Sequence, residues 1–295
     1  MAENSHISWT DNTHNEWIGC TKVSAGCDHC YAEREQDKRH HRAKWGKGNS
    51  RYRTSEANRK KPFVWNRQAE KEGRRIRVFT ASLSDVFDEE VPDEWRHELF
   101  ATIRQTPHLD WLVLTKRLAK MRRYVEWSLG NGLLPSNIWW GCSVEGQTTA
   151  NQRIPELLKL RQWVGDAPLW LSIEPLLGPV DLSAIRHGSD PDLPIYVDWV
   201  VVGGESGPSA RPMQPGWPRS LRDQCVAEQI PFHFKQWGEW APVEDGSLLP
   251  GDRLFPKNDE APSLSEDPVM RRVGKKAAGR LLDGKEWNEF PKGKY

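Results

Sequence analysis

From residue 77 onward the chain alternates short apolar runs with amphipathic stretches, and few folds accommodate that rhythm. Arg77–Ser82, Asp110–Thr115, Asn137–Ser143, Pro168–Ile173, Asp198–Val202 and Ile230–Lys235 are apolar runs of strand length. The segments between them read as helices. Pro92 opens one with Trp95, Leu99 and Ile103 on a single face. Leu118/Met121/Val125, Ile154/Leu157/Leu158 and Trp217/Leu221/Cys225 mark the inward faces of others. Strands that are apolar throughout are covered on both sides, as in a parallel α/β sheet. Six strands are countable and a further one is expected before Cys20. The expected fold is α/β: a partial (βα)6-type barrel of parallel strands.

The barrel is expected to span residues 1–240, with a cysteine-rich loop at 17–32 and a basic N-terminal insertion at 38–77. Residues 178–197 read as a Pro/Gly/Asp-rich insertion. Beyond Trp240 the rhythm fades, so 241–295 is expected to be a loop-rich C-terminal appendage. It carries a basic stretch, Lys275, Lys276 and Arg280, before a Leu-Leu-Asp-Gly turn.

Mean hydropathy is −0.75, and no apolar run approaches the ~18 residues of a membrane span. Met1 to Trp9 is polar, without the apolar core of a secretory signal. Five cysteines, three of them in the first tenth of the chain, make poor material for a disulfide framework. A reducing, cytoplasmic setting is expected, with the trio doing chemistry. The 16 Trp exceed what a domain of this size ordinarily needs.

Net charge is +1, unevenly spread. Residues 38–77 hold 15 Lys/Arg against three Glu, a local +12, which leaves −11 elsewhere. Trp45, Tyr52, Phe63 and Trp65 are interleaved with those cations. Cations neutralise phosphates and rings stack on bases, so this segment is a candidate contact for DNA, RNA or a nucleotide. A solvated helical face explains the same composition equally well.

Ligands of parallel α/β sheets bind outside the carboxyl ends of the strands. Nearly every run here ends in polar residues: Ser82/Ser84/Asp85, Thr115/Lys116, Ser143/Glu145, Glu174, Gly203-Gly204-Glu205-Ser206 and Lys235/Gln236/Trp237. Each alone could cap a helix. Their recurrence across six strands points to a site at that rim.

Cys20, Cys27 and Cys30 form a C-x6-C-x2-C motif in a glycine-containing loop. Zinc would need a fourth ligand, from His29, His14 or a distant Cys. An iron–sulfur cluster held by three Cys leaves one iron open to another ligand. Cys142 and Cys225 fall on apolar faces and read as core thiols.

A cysteine trio at the start of a partial barrel, followed by the aromatic Tyr31, resembles the radical S-adenosylmethionine (SAM) superfamily. The usual spacing there is C-x3-C-x2-C, whereas the first gap here is six. More closely, the chain resembles the phage Gp37/Gp68 family (DUF5131). The matching strings include Trp17-Ile-Gly-Cys-Thr-Lys-Val-Ser-Ala-Gly-Cys-Asp-His-Cys-Tyr-Ala32, Ala81-Ser-Leu-Ser-Asp-Val-Phe-Asp88, Leu114-Thr-Lys-Arg117 and Trp140-Gly-Cys-Ser-Val-Glu145. They continue through Ser172-Ile-Glu-Pro-Leu176, Gly203-Gly-Glu-Ser206, Phe234-Lys-Gln-Trp-Gly238 and Leu281-Leu-Asp-Gly284. The Ser-Asp and Thr-Lys pairs are also loosely similar to spore photoproduct lyase.

The resemblance implies a [4Fe–4S] cluster on Cys20, Cys27 and Cys30, with SAM on its open iron. Reductive cleavage of SAM would yield a 5′-deoxyadenosyl radical that abstracts hydrogen from a substrate. Electrons would come from a donor such as a flavodoxin or ferredoxin. Among the rim residues, Lys116 suits the SAM carboxylate and Ser84 and Asp85 its ammonium. Ser143 and Glu145 suit the ribose, Glu174 ribose or substrate, and Tyr31 the adenine or the cluster. Gly203-Gly204-Glu205 matches the superfamily's SAM-binding tripeptide in letters but follows a late strand; its glycines are equally well explained by close backbone approach to a ligand. The expected substrate is a nucleic-acid base or nucleotide, with Trp45, Trp65 or Trp237 able to stack on a flipped base. The alternatives are a small-molecule or protein substrate, or a zinc-stabilised nucleic-acid-binding protein without catalysis.

Overall fold

A computed structural model describes residues 3–183, 197–243, 247–255 and 268–291. Most of the insertion expected at 178–197 and much of 241–267 lie outside those residues. Seven strands form one parallel sheet: β1 (Asn12–His14), β2 (Ile76–Thr80), β3 (Leu109–Thr115), β4 (Ile138–Ser143), β5 (Leu169–Ile173), β6 (Trp199–Gly203) and β7 (Phe232–Gln236). Their order in space is their order in sequence, and the sheet curls into a half-barrel. The count is seven where six were numbered, because the strand expected before Cys20 forms and pairs with β2 through Thr13 and Phe79.

Helices α1 (Glu56–Glu72), α2 (Asp93–Arg104), α3 (Leu118–Gly130), α4 (Gln147–Leu158) and α5 (Gly216–Ala227) link successive strands. The anticipated faces are inward: Leu99, Ile103, Met121, Val125, Ile154, Leu157, Leu221 and Cys225 join one buried core. Cys142 and Cys225 are fully buried there, which pushes both thiols up to about 12.

The basic insertion is a correction. Its second half is α1, the first crossover helix of the barrel, capped by Ser55 and ended by Gly73 at φ +60°. A left-handed residue closes a helix most cheaply when it has no Cβ. Trp65 is a core residue of this helix, so it cannot stack on a base. Ten of the fifteen cations are ion-paired, mostly to acids outside the segment. Arg51 meets Asp88, Arg53 and Arg59 meet Glu16, Arg75 meets Asp110 and Arg77 meets Asp11. Lys38, Arg39, Lys60, Lys61 and Arg74 complete the ten. A charge run counted along the chain is thus largely neutralised in space.

The concave face has its own core. Phe79, Leu112, Trp139, Trp170, Trp199 and Val201 project from the strands, and Trp9 closes over them. The Trp9 ring lies 4.7 Å from Phe79 and 5.4 Å from Trp170, and Phe290 lies 5.2 Å from Trp199. Ser8 Oγ reaches across to His233 Nε2 on β7 at 2.8 Å.

The C-terminal residues are not a detached appendage. Trp240–Pro242, Val269–Arg272 and Arg253–Leu254 make a small antiparallel sheet. The following segment lies along β7: Phe234 N donates to Trp287 O at 2.9 Å and Phe232 N to Glu289 Oε2 at 3.0 Å. It covers the polar edge that β7 would otherwise leave open. Trp237 Nε1 donates to Leu281 O, and the ring is buried against Phe234, so Trp237 is also unavailable for base stacking. Among the described residues no helix is long and apolar enough to cross a membrane.

His233 is wholly buried, and desolvation, aided by Arg280, Lys235 and Arg77, lowers its pKa to about 3. The unfolded chain takes up this proton near pH 6.5 and the folded chain does not, so this group destabilises the fold as pH falls. The stability of wild type relative to His233→Gln is expected to drop by about 1.4 kcal/mol per pH unit between pH 6 and 4. Urea titrations of both proteins read this difference, and a pH-independent gap contradicts it.

Candidate functional site

The carboxyl ends of the strands surround a cavity of about 900 Å³. Cys20, Cys27 and Cys30 line it together, as do Tyr31, Ser84, Lys116, Ser143 and Glu174. The sequence therefore located both the rim and most of its residues.

The cysteine loop leaves β1, crosses above the strand ends and is pinned at three places. At its start, Thr21 N donates to Asp88 Oδ2 at 2.8 Å and Arg117 Nη2 donates to Thr21 O at 2.7 Å. In its middle, Ser24 Oγ donates to Glu145 Oε1 at 2.7 Å. Near its end, His29 Nδ1 lies 3.1 Å from Glu205 Oε2, and Arg211 donates to Ala25 O at 2.8 Å. Tyr31 then returns to the β2 end, its hydroxyl donating to Ser82 O.

Each pin is an acid–arginine pair. Asp88 and Arg51 are both fully buried and 2.8 Å apart, and Arg117 reaches Asp88 at 3.2 Å. Burial alone would raise the Asp88 carboxyl; the Glu90 N–H, Arg117 and Arg51 hold it below the usual range. Glu145 pairs with Arg153 at 3.1 Å. Glu205 takes the Arg211 guanidinium at 2.6 and 2.9 Å, and these bonds with His29 outweigh its desolvation.

Three expected roles change. Glu145 lies under the cysteine loop and not on the cavity lining, so it holds the loop and is out of reach of a ribose. A Cβ on Gly26 would stand 2.4 Å from the Glu145 side chain, so only glycine lets the loop lie this close. Asp85 lines the cavity, but Thr115 Oγ1, Phe87 N, Lys116 N and Arg117 Nη1 already occupy its oxygens. It orients the Thr-Lys-Arg turn and has no capacity left for an ammonium. The close approach at Gly204 is to chain and not to ligand: a Cβ there would meet Trp237 O at 1.9 Å.

Other expected residues lie on the cavity lining. Lys116 Nζ donates to Ser143 Oγ at 2.6 Å and lies 3.6 Å from Glu145. Ser84 Oγ is buried without a hydrogen-bond partner. Glu174 pairs with Lys235 Nζ at 3.0 Å. Arg117, Arg211 and Ser24 were not singled out by the sequence. Arg117 directly follows the recognised Thr-Lys pair, whereas Arg211 lies in a loop with no motif to mark it.

Burial, together with the nearby Asp85, raises the Cys20 thiol well above its ordinary range, and burial raises Cys30. As bare thiols they are poor nucleophiles at neutral pH; a bound cation would reverse that balance. Arg117 Nη1 stands 3.8 Å from Cys20 Sγ, and Cys27 is close enough to influence Cys30. The residues that would complete a zinc site are occupied elsewhere. His14 is buried between Trp65 and Trp111, His29 is on Glu205, and Cys142 and Cys225 are in the core. Among the described residues no three His, Cys, Asp or Glu side chains are arranged as ligands of a single metal ion.

The family model for DUF5131, a protein family of unknown function, matches residues 4–291. The chain belongs to that family. No curated protein and no solved structure matches it.

Glu145→Ala removes the anchor of Ser24 and strands Arg153. The expected cost is about 3 kcal/mol, as for other broken buried pairs. Cys27 and Cys30 should then react faster with a thiol reagent in the still-folded protein. Unchanged labelling rates would show that Glu145 does not hold the loop.

Proposed function

We propose that this DUF5131 protein is a radical SAM enzyme acting on a nucleic-acid base or nucleotide. The observation that carries the reading is the placement of three cysteines over a half-barrel cavity, with no fourth protein ligand beside them among the described residues. In a cubane each thiolate binds a different iron, so the sulfurs need not converge on one point, as a zinc ion would require. The donor set fits a cluster with one open position better than a closed zinc site.

A bound cluster, reduced by an external electron donor, would supply the one electron that splits SAM into methionine and a hydrogen-abstracting 5′-deoxyadenosyl radical. The chain's part is to bind, orient and shield. Cys20, Cys27 and Cys30 would hold the cluster, with Arg117 donating toward the Cys20 sulfur. Lys116, fixed by Ser143, is the cation for the SAM carboxylate. Ser84 Oγ, buried and unpartnered, is the acceptor for the ammonium in place of Asp85. Tyr31 and Glu174 are left for adenine, ribose or substrate. Trp139, Trp170, Trp199 and Trp9 seal the floor against water, as a reactive intermediate requires. An electron donor such as a flavodoxin or ferredoxin is the implied partner.

The test is anaerobic reconstitution with iron and sulfide, then dithionite and SAM. About four irons per chain are expected, with formation of 5′-deoxyadenosine that Cys27→Ala abolishes. Lys116→Ala should weaken SAM binding by about tenfold or more, the effect of one charge-assisted hydrogen bond. Stoichiometric zinc and no 5′-deoxyadenosine would overturn the reading.

A further inference from the structure

The cavity carries more positive charge than SAM can use. Eight Lys and Arg line it against four Asp and Glu, in a chain whose net charge is only +1. The acids are committed: Asp85 to Arg117, Glu174 to Lys235, Glu205 to Arg211, and Glu239 to the Gly207 N–H. Two cations stand apart. Lys275 and Lys276 line the cavity, and their ammonium groups have no hydrogen bond or ion pair among the described residues. They share that wall with Lys235 and Arg280. Close packing of like charge is felt there, since partial desolvation and Lys235 depress the Lys275 ammonium despite Glu174 and Glu239.

This wall lies across the cavity from Lys116. Lys116 follows β3 and Lys235 ends β7, four strand spacings of about 4.8 Å away around the sheet. One carboxylate cannot serve both. Lys275 and Lys276, exposed at the mouth and unpaired, beside Lys235 and Arg280, which are paired to Glu174 and Glu286, make a wall that suits a ligand of high charge and several acceptors. A phosphate monoester carries nearly two charges and three acceptor oxygens, and lysines serve as point charges for it.

We propose that Lys275 and Lys276, with Lys235 and Arg280, form a phosphate subsite that anchors the substrate inside the cavity. The proposal rests on the nucleotide reading above and narrows it. The substrate enters with a phosphate held by the C-terminal wall, not with a strand lying on the basic segment 38–77. The phosphate belongs either to a free nucleotide or to a nucleic-acid strand.

The experiment is calorimetric titration of the full chain as purified, at low ionic strength. The probes are a nucleoside 5′-monophosphate, its nucleoside, and a short single-stranded oligonucleotide. The monophosphate is expected to bind about tenfold or more tighter than the nucleoside. Lys275→Gln/Lys276→Gln should abolish that preference and Lys275→Arg/Lys276→Arg should retain it, with unchanged circular dichroism in both. Tighter binding of the oligonucleotide than of the monophosphate assigns the phosphate to a strand; equal binding assigns it to a free nucleotide. Absence of any phosphate preference, or a preference intact in the Gln pair, overturns the subsite. The titration needs no cluster, so loss of the radical reading would appear separately, as absent 5′-deoxyadenosine with the phosphate preference intact.

Discussion

A parallel sheet that curls only half-way has a concave face with no opposing strands to fill it. A closed eight-stranded barrel packs its interior with side chains from every side. Here β1 and β7 do not meet, so large rings must do that filling. Trp139, Trp170 and Trp199 project from three consecutive strands, and Trp9 and Phe290 from the two chain ends lie against them. The unusual tryptophan content has this as one cause. Filling stops at the carboxyl ends, where Ser143, Ser172 and Lys235 replace apolar residues, and the cavity begins there.

The cysteine loop is the roof of that cavity. It contains little regular structure, so its backbone cannot satisfy itself. Three arginine pairs of buried acids take over that work, at Asp88, Glu145 and Glu205. Buried ion pairs often give little net stability. Their use here is positional: each ties the loop to a different strand end, and together they fix where three sulfurs stand above the cavity. Arg117 joins the two functions, bonding Asp85, Asp88 and the Thr21 carbonyl while pointing at Cys20.

The strand rhythm was legible because each β-run is apolar on both faces and each helix on one. The rim followed from the direction of parallel strands, and Lys116, Ser143 and Ser84 stand where that rule put them. Asp85 stands on the lining and Glu145 behind it, each bonded to protein donors, because the sequence does not reveal which donors a carboxylate will meet. Arg153 is eight residues from Glu145, in the helix that directly follows it, while Arg117 comes from a different strand end than Asp85. The pairing of the basic segment was hidden for the same reason. Its partners Glu16, Asp88 and Asp110 are distant in sequence and adjacent only once the sheet forms. Lys275 and Lys276 were read as part of a short basic appendage; they are exposed, and nothing local signals that they border the cavity.

The central claim is that the trio holds one cluster with an open iron facing the cavity. Mössbauer spectroscopy of the full chain reconstituted with iron-57 tests it most directly, with and without SAM. About four irons per chain are predicted, consistent with a cysteine-ligated cubane, and one site should change its spectrum when SAM is added. Four irons that ignore SAM, or a protein that binds zinc and no iron, would contradict the claim.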